Sequence, residues 1–319
     1  MNNRILPSLA IVSPCLNEEN LITENLEKLI EVLESLSVAA LIDISKSAIY
    51  VVDDGSDDNS WDRLREAKLK YTQLKCIKLS RNFGHQNALL AGIVSTSEDI
   101  VISLDFDLQD DLNAIEKMIM EYNAGFEIVY GIKENRLVDG LLKRSLASFF
   151  YYLLNLMGAK VIRNHADFRL MSKKSIDSLR QFKENDLYLR GIIPLLGYRS
   201  SRVSYTLNNR KSGKTKYSFR KSMSLAMRGI TSFTLKPLRI IGFLGFLISI
   251  FSLIITSYYI IQYIFYPENS IPGWASTVLP IYFLGAIQLI SLGVIGEYIG
   301  KLFLEAKQRP NFIIEDFLE

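Results

Sequence analysis

The chain has 319 residues, 49% hydrophobic and 22% charged, a balance that excludes intrinsic disorder and a length that suits two structural units. Lys and Arg number 37 against 34 Asp and Glu, and the formal charge of +3 is too small to mark a nucleic-acid-binding protein. Two cysteines, Cys15 and Cys76, exclude a disulfide scaffold, and two histidines argue against a His-based zinc centre.

The N-terminal part alternates short apolar runs with helical patterns. In chain order these are a strand at Leu9–Val12, a helix near Glu19–Glu34, a strand at Ala48–Val52, a helix at Ser60–Tyr71 and a strand at Cys76–Leu79. A helix at Gln86–Ser95, a strand at Ile100–Leu104, a helix at Asn113–Ala124 and a strand at Ile128–Tyr130 come next. This alternation predicts an α/β fold, a Rossmann-like and mostly parallel sheet with helices on both faces. Such sheets bind ligands at the C-terminal ends of their strands.

Those ends are polar. They read Pro14-Cys15-Leu16-Asn17-Glu18-Glu19, then Asp53-Asp54-Gly55-Ser56, then Arg81-Asn82-Phe83-Gly84-His85, then Asp105-Phe106-Asp107-Leu108-Gln109-Asp110. Neither a G-x-G-x-x-G fingerprint nor a phosphate loop is present, so phosphate must be neutralised by other means. Asp105 and Asp107, two apart on an extended strand exit, would point to one side and share a divalent ion, with Gln109 adding an oxygen. Hard oxygen ligands favour Mg2+ or Mn2+, which would offset the charge of a nucleotide diphosphate. His85 reads as a nucleotide-site or structural residue, since no second histidine accompanies it, and the cysteines read as small buried groups.

Farther along, charge and apolarity separate. From Leu187 to Pro267 there are twelve Lys or Arg and no acid, so a segment of about +12 adjoins a remainder of about −9. Within it Phe219, Met223, Ala226, Met227, Ile230 and Phe233 recur at helical spacing, which predicts an amphipathic interfacial helix over 218–238. Two long uncharged runs account for the positive mean hydropathy of +0.14. They are Ile240–Tyr266 and Asn269–Gly296, each long enough to span a bilayer, giving a two-helix transmembrane hairpin over 239–304. Lys236 and Arg239 before it and Lys301, Lys307 and Arg309 after it place the domain of 1–217 and the tail of 305–319 in the cytoplasm. No signal peptide is read at the N-terminus. The hairpin could pack with copies of itself, and Glu297 at the membrane end could serve that packing.

The ordered set P-x-x-N-E, VVDDGS, RNFGHQ, DFDLQD, ADFRLMS, RKSGKTKYS and the hairpin resembles the family 2 glycosyltransferases of GT-A fold. The resemblance is closer to the polyprenyl-phosphate enzymes, the dolichol-phosphate mannosyltransferase-like and bactoprenol glucosyltransferase types. It implies inverting transfer of one sugar from a nucleotide sugar, with UDP-glucose the leading donor, to a polyprenyl phosphate at the cytoplasmic membrane face. GlcNAc, GalNAc, mannose or a modified pentose such as aminoarabinose would use the same phosphate machinery. The resemblance also implies that Pro14, Glu18 and Asp53 or Asp54 hold the nucleoside and that Asp105, Asp107 and Gln109 hold the metal and diphosphate. Asn17, Arg81, Gly84 and Phe106 join the nucleotide side as strand-end candidates. Arg144 matches a family arginine that contacts the acceptor, and Lys133 stands where the family often has another arginine. The usual DLQDPP reads DLQDDL here, and Gly213-Lys214-Thr215-Lys216 carries a lysine where the family has an acid.

The acceptor phosphate, with a second pKa near ~6, is largely dianionic at neutral pH and attacks without a strong base. The difficulty is anion beside anion, which calls for cations. Arg210 and Lys216 lead the candidates, with Arg144. Arg169 is either another or a salt-bridge partner of Asp167, and Asp110 is either a base or an organiser of the metal site. A processive polysaccharide synthase would carry a QxxRW-like motif and more spans, and a membrane scaffold or flippase component would not need the two carboxylates.

Overall fold

The computed structural model describes residues 6–133, 165–182, 184, 189–206 and 274–319, with isolated positions between 238 and 265. These fall into two compact units, one holding a sheet with its helices and the other a long C-terminal helix.

Eight strands form one mixed sheet: β1 (Leu9–Cys15), β2 (Ala48–Asp53), β3 (Leu74–Leu79), β4 (Ile100–Ser103), β5 (Ile128–Lys133), β6 (His165–Ser172), β7 (Ser200–Tyr205) and β8 (Ile314–Leu318), in the order β7-β5-β6-β4-β1-β2-β3-β8. The block β4-β1-β2-β3 is parallel, as expected for strands joined by helical crossovers. Every residue of β1, β2 and β4 is buried, as an apolar run covered on both faces requires.

The helices in order are α1 (Ile22–Val38), α2 (Ser60–Lys70), α3 (His85–Ser95), α4 (Ala114–Asn123), α5 (Lys173–Leu179), α6 (Leu189–Leu195) and α7 (Trp274–Ala306). Leu26, Leu29 and Leu33 of α1, Leu64 of α2 and Ile115, Met118 and Ile119 of α4 pack with Leu9, Ile11, Ile49, Val51 and Ile102 in one core. The opposite face receives α3. There a Cβ on Gly92 would collide with the side chains of Val12 and Val52, so only glycine lets α3 approach this closely.

One feature departs from expectation. Residues 305–319, expected as a tail, contain β8, which pairs antiparallel with β3 through Cys76↔Leu318 to Leu79↔Ile314. Its Phe317 ring lies 6.5 Å from that of Tyr50, and Lys78 pairs with Glu315 at 3.2 Å. Of the expected hairpin, α7 covers the second span; the described positions of the first, between 241 and 265, are helical, and its other residues, with the interfacial helix of 218–238 except Leu238, lie outside the described residues. Within α7, Ile287–Ala306 is long and apolar enough to cross a membrane, and Leu289, Ile290, Leu292, Ile299 and Leu302 are exposed.

Candidate functional site

The C-terminal ends of β1, β2, β3 and β4 meet at one rim, and the contacts between their loops are specific. Asp54 accepts from the backbone N–H of Phe83 at 2.8 Å and of Gly84 at 3.0 Å, so both its oxygens are spent joining the second loop to the third. Asp53 uses Oδ1 on the backbone and hydroxyl of Ser56, while its buried Oδ2 has no hydrogen-bond partner. Of the two carboxylates, Asp53 is therefore the one with an oxygen that accepts no hydrogen bond. Burial raises both from their ordinary value, against the hydrogen bonds they accept.

Gly55 makes this joint possible. Its φ is +69°, and an added Cβ would strike the backbone of Arg81 and Asn82. Asn17, also in the left-handed region at φ 55°, accepts from the N–H of Asp57 at 2.9 Å and donates its own N–H to Ser56 Oγ at 2.9 Å. Pro14 is buried within β1, opposite Val52. Arg81 stacks on the Phe83 ring, its guanidinium carbon 4.1 Å from the centroid. Cys15 is buried beside Asp53 and Glu18; burial, then those carboxylates, push its thiol well above its ordinary value and leave it neutral.

Asp105 and Asp107 are brought together differently from expectation. β4 ends at Ser103, and Asp105–Leu108 is a tight turn in which Leu108 N–H donates to Asp105 O at 3.2 Å, with Leu108 at φ 47°. The strand geometry fails here because Phe106 turns into the core, 2% exposed, and its carbonyl accepts from buried Asn25 Nδ2 of α1 at 2.6 Å. Phe106, expected on the nucleotide side, thus anchors the turn from below. Gln109 gives Nε2 to Asp107 Oδ2, so its amide nitrogen faces that carboxylate.

The rim is anionic. Burial, then Asp107 and Asp105, push Glu18 up to about 7, and its buried Oε2 has no hydrogen-bond partner. Asp105 Oδ1 is buried and ion-paired with His85 Nε2 at 3.3 Å. Three carboxylates gathered at this rim, with the orphaned Glu18 oxygen among them, fit a divalent cation held by Asp105 and Asp107 with Glu18 nearby.

His85, Asp105 and Asp167 also bring ligand-type atoms within 4.8 Å of one another. Asp167, however, is already charge-paired. It is 2% exposed and accepts from Arg169 Nη2, from Arg190 Nε at 3.2 Å and Nη2 at 2.9 Å, and from Gln86 Nε2 at 3.1 Å. A cation placed there would face two guanidinium groups, so this trio is an ion-pair cluster. Burial disfavours the His85 imidazolium, but Asp105 and Asp167 outweigh it and lift the pKa to about 10.

Arg169 is 0% exposed beneath Asp167, the ion-pair alternative for that residue. Asp110 is buried; its Oδ1 accepts from Tyr205 Oη at 2.8 Å and lies 3.4 Å from Lys133 Nζ. That arrangement ties the turn to β5 and β7. Arg144, Arg210 and Lys216 lie outside the described residues. Asn25, Gln86 and Tyr205, to which the sequence assigned no role, and Arg190, read there only as one of twelve basic residues, are brought to the site by the fold. Asn25, six residues beyond Glu19 on an otherwise apolar helix face, carried the one visible signal.

Residues 10–180 match the family model described as Glycosyl transferase family 2. The chain is 43% identical to the uncharacterized glycosyltransferase YkoT of Bacillus subtilis (strain 168), over 97% of this chain and 91% of that protein. It is 35% identical to the bactoprenol glucosyl transferase of Shigella phage SfX, over 84% and 88% respectively. Among solved structures it is similar to the mannosyltransferase PcManGT of Pyrobaculum calidifontis in complex with GDP-Man and Mn2+, at TM-score 0.49 and 18% identity, over 71% of this chain and 64% of that one.

Proposed function

Because this chain belongs to glycosyl transferase family 2 and has a GT-A-type α/β fold, we propose that it moves one sugar, with inversion, from a nucleotide sugar to a polyprenyl phosphate at the cytoplasmic membrane face. UDP-glucose and undecaprenyl phosphate are the leading substrates, supported by the bactoprenol glucosyl transferase among its relatives. The observation that carries the reading is the convergence of Asp53, Glu18, Asp105 and Asp107 on one strand-end rim, Asp53 and Glu18 each with a buried oxygen that accepts no hydrogen bond.

Asp53 and Glu18 offer acceptors to the nucleoside, and Asp105 and Asp107 would hold Mg2+ or Mn2+. Such an ion supplies charge neutralisation to the departing diphosphate. The lipid phosphate is its own nucleophile, so no strong base is required. This agrees with Asp110, whose Oδ1 serves Tyr205 and Lys133, as a brace of the turn and not the base. Arg144, Arg210 and Lys216 are the proposed cations for the acceptor phosphate.

Membrane attachment is proposed through the interfacial helix of 218–238 and the hairpin of 239–304, with 1–217 as the catalytic domain. The pairing of β8 with β3 supports this topology. Chain that leaves the sheet after β7 returns to the same sheet at β8, so any membrane crossing between them must occur an even number of times.

A panel of nucleotide sugars assayed against undecaprenyl and dolichyl phosphate, with lipid products identified by mass, tests the substrates. Transfer should be abolished by EDTA and lowered about 100-fold or more by Asp107→Ala. Full activity under both conditions would overturn the metal assignment.

A further inference from the structure

Three groups outside the assigned roles stand out: the buried Tyr50–Lys75–Glu98 cluster at the far end of the strands, the β8 edge, and the ion pairs around Asp167. The first is closed on itself, with Lys75 Nζ 2.9 Å from Tyr50 Oη and both near Glu98. The second is architectural. The third faces the site.

In the antiparallel pairing of β4 with β6, Ser103 stands opposite Arg169, so Asp167 comes alongside Asp105 just beyond the end of β4. Its carbonyl accepts from Ser103 Oγ, which fixes the backbone there. The carboxylate is already neutralised by Arg169, fully buried against it. Yet it holds a second guanidinium. Arg190 of α6 engages both oxygens, Nε on Oδ1 and Nη2 on Oδ2, and its side chain remains 35% exposed. Arg190 is thus a second guanidinium on one buried carboxylate, held in a two-point fork and partly exposed at the rim beside Asp105.

Resting on the glycosyl-transfer reading, we infer that Arg190 is a cation for substrate phosphate oxygens at this rim, and that Asp167 is the positioning residue that fixes its guanidinium. A fork held by two hydrogen bonds keeps its direction, so the charge is pre-set before the ligand arrives. A lysine at 190 would keep the charge and lose that direction. The phosphate belongs either to the nucleotide diphosphate or to the lipid acceptor, and the two are separable by experiment.

The test uses the full chain in lipid nanodiscs, comparing wild type with Arg190→Gln and Arg190→Lys. Affinities for UDP and uridine, with GDP and guanosine alongside, are measured by calorimetry, and KM for donor and for undecaprenyl phosphate by transfer. Arg190→Gln is expected to lower kcat/KM by about 10- to 100-fold, with nucleoside affinity and melting temperature held, and Arg190→Lys to fall between it and wild type. Weakened nucleoside diphosphate binding assigns the donor diphosphate; a raised lipid KM with that binding intact assigns the acceptor phosphate. Unchanged kinetics and binding, or loss of nucleoside affinity together with melting temperature, overturns the inference. Should Arg190→Gln fail to fold, Arg190→Lys is read by the same criteria. A wild-type protein that binds no nucleoside diphosphate and transfers no sugar overturns the proposed function instead.

Discussion

Asp167 is where one carboxylate has the most consequence. Burial acts to raise its pKa, but His85, Arg169 and Arg190 outweigh burial and hold it well below the carboxylate range. The unfolded chain therefore binds this proton more readily than the folded one. The stability it contributes is complete above the unfolded pKa of about 3.9 and is lost as pH falls through the lower folded value. Asp167→Asn should cost about 3–5 kcal/mol at neutral pH, because two guanidinium groups lose their counter-charge, and should flatten the acid side of the stability curve. Chemical denaturation of both proteins between neutral and acid pH checks the size and the sign. Gly55→Ala belongs to the same scale. At φ +69° and against the backbone of Arg81 and Asn82, an alanine must displace the loop that positions Asp53, so nucleotide affinity should fall by about tenfold or more in a calorimetric titration.

At the scale of elements, the strands β1 to β5 were legible because each is a short apolar run between turn residues, the pattern of a buried parallel strand. β6 was seen only as a motif. Asp167 and Arg169 interrupt its apolar run, and only the fold reveals that the two charges are buried as a pair. β7 reads as polar because its alternate residues face outward, leaving Val203 and Tyr205 as its inward signal. The site was legible in its residue types and less so in its geometry. Asp105 and Asp107 were found, but the turn that presents them depends on Asn25 and on Phe106 entering the core, contacts between segments far apart in the chain. Arg190 was hidden among the basic residues that adjoin the apolar segment. β8 stops pairing at an exposed edge, and Phe317→Asp should remove its apolar contact with Tyr50, at about 1–2 kcal/mol, and loosen the edge of β3. A lowered melting temperature with increased light scattering is the expected result; unchanged values would show that β8 adds nothing to the sheet.

At the scale of the molecule, the small net charge and the hydropathy are averages over unlike parts. A catalytic sheet with an anionic rim precedes a basic stretch, and α7 exposes leucine and isoleucine around its surface, which suits lipid better than water. With β8 back in the sheet, the N-terminal and C-terminal ends should lie on one side of the membrane. Protease added to the non-cytoplasmic side of sealed vesicles should leave tags at both ends intact, and cleavage of the C-terminal tag alone would break the even-crossing topology. The proposed activity stands most directly on the chemistry. Purified full-length protein given labelled UDP-glucose, undecaprenyl phosphate and Mg2+ should yield a lipid product heavier than the acceptor by a single hexose, with UDP released in equal amount. Free glucose without a lipid product, or a lipid bearing a growing glycan chain, would contradict it.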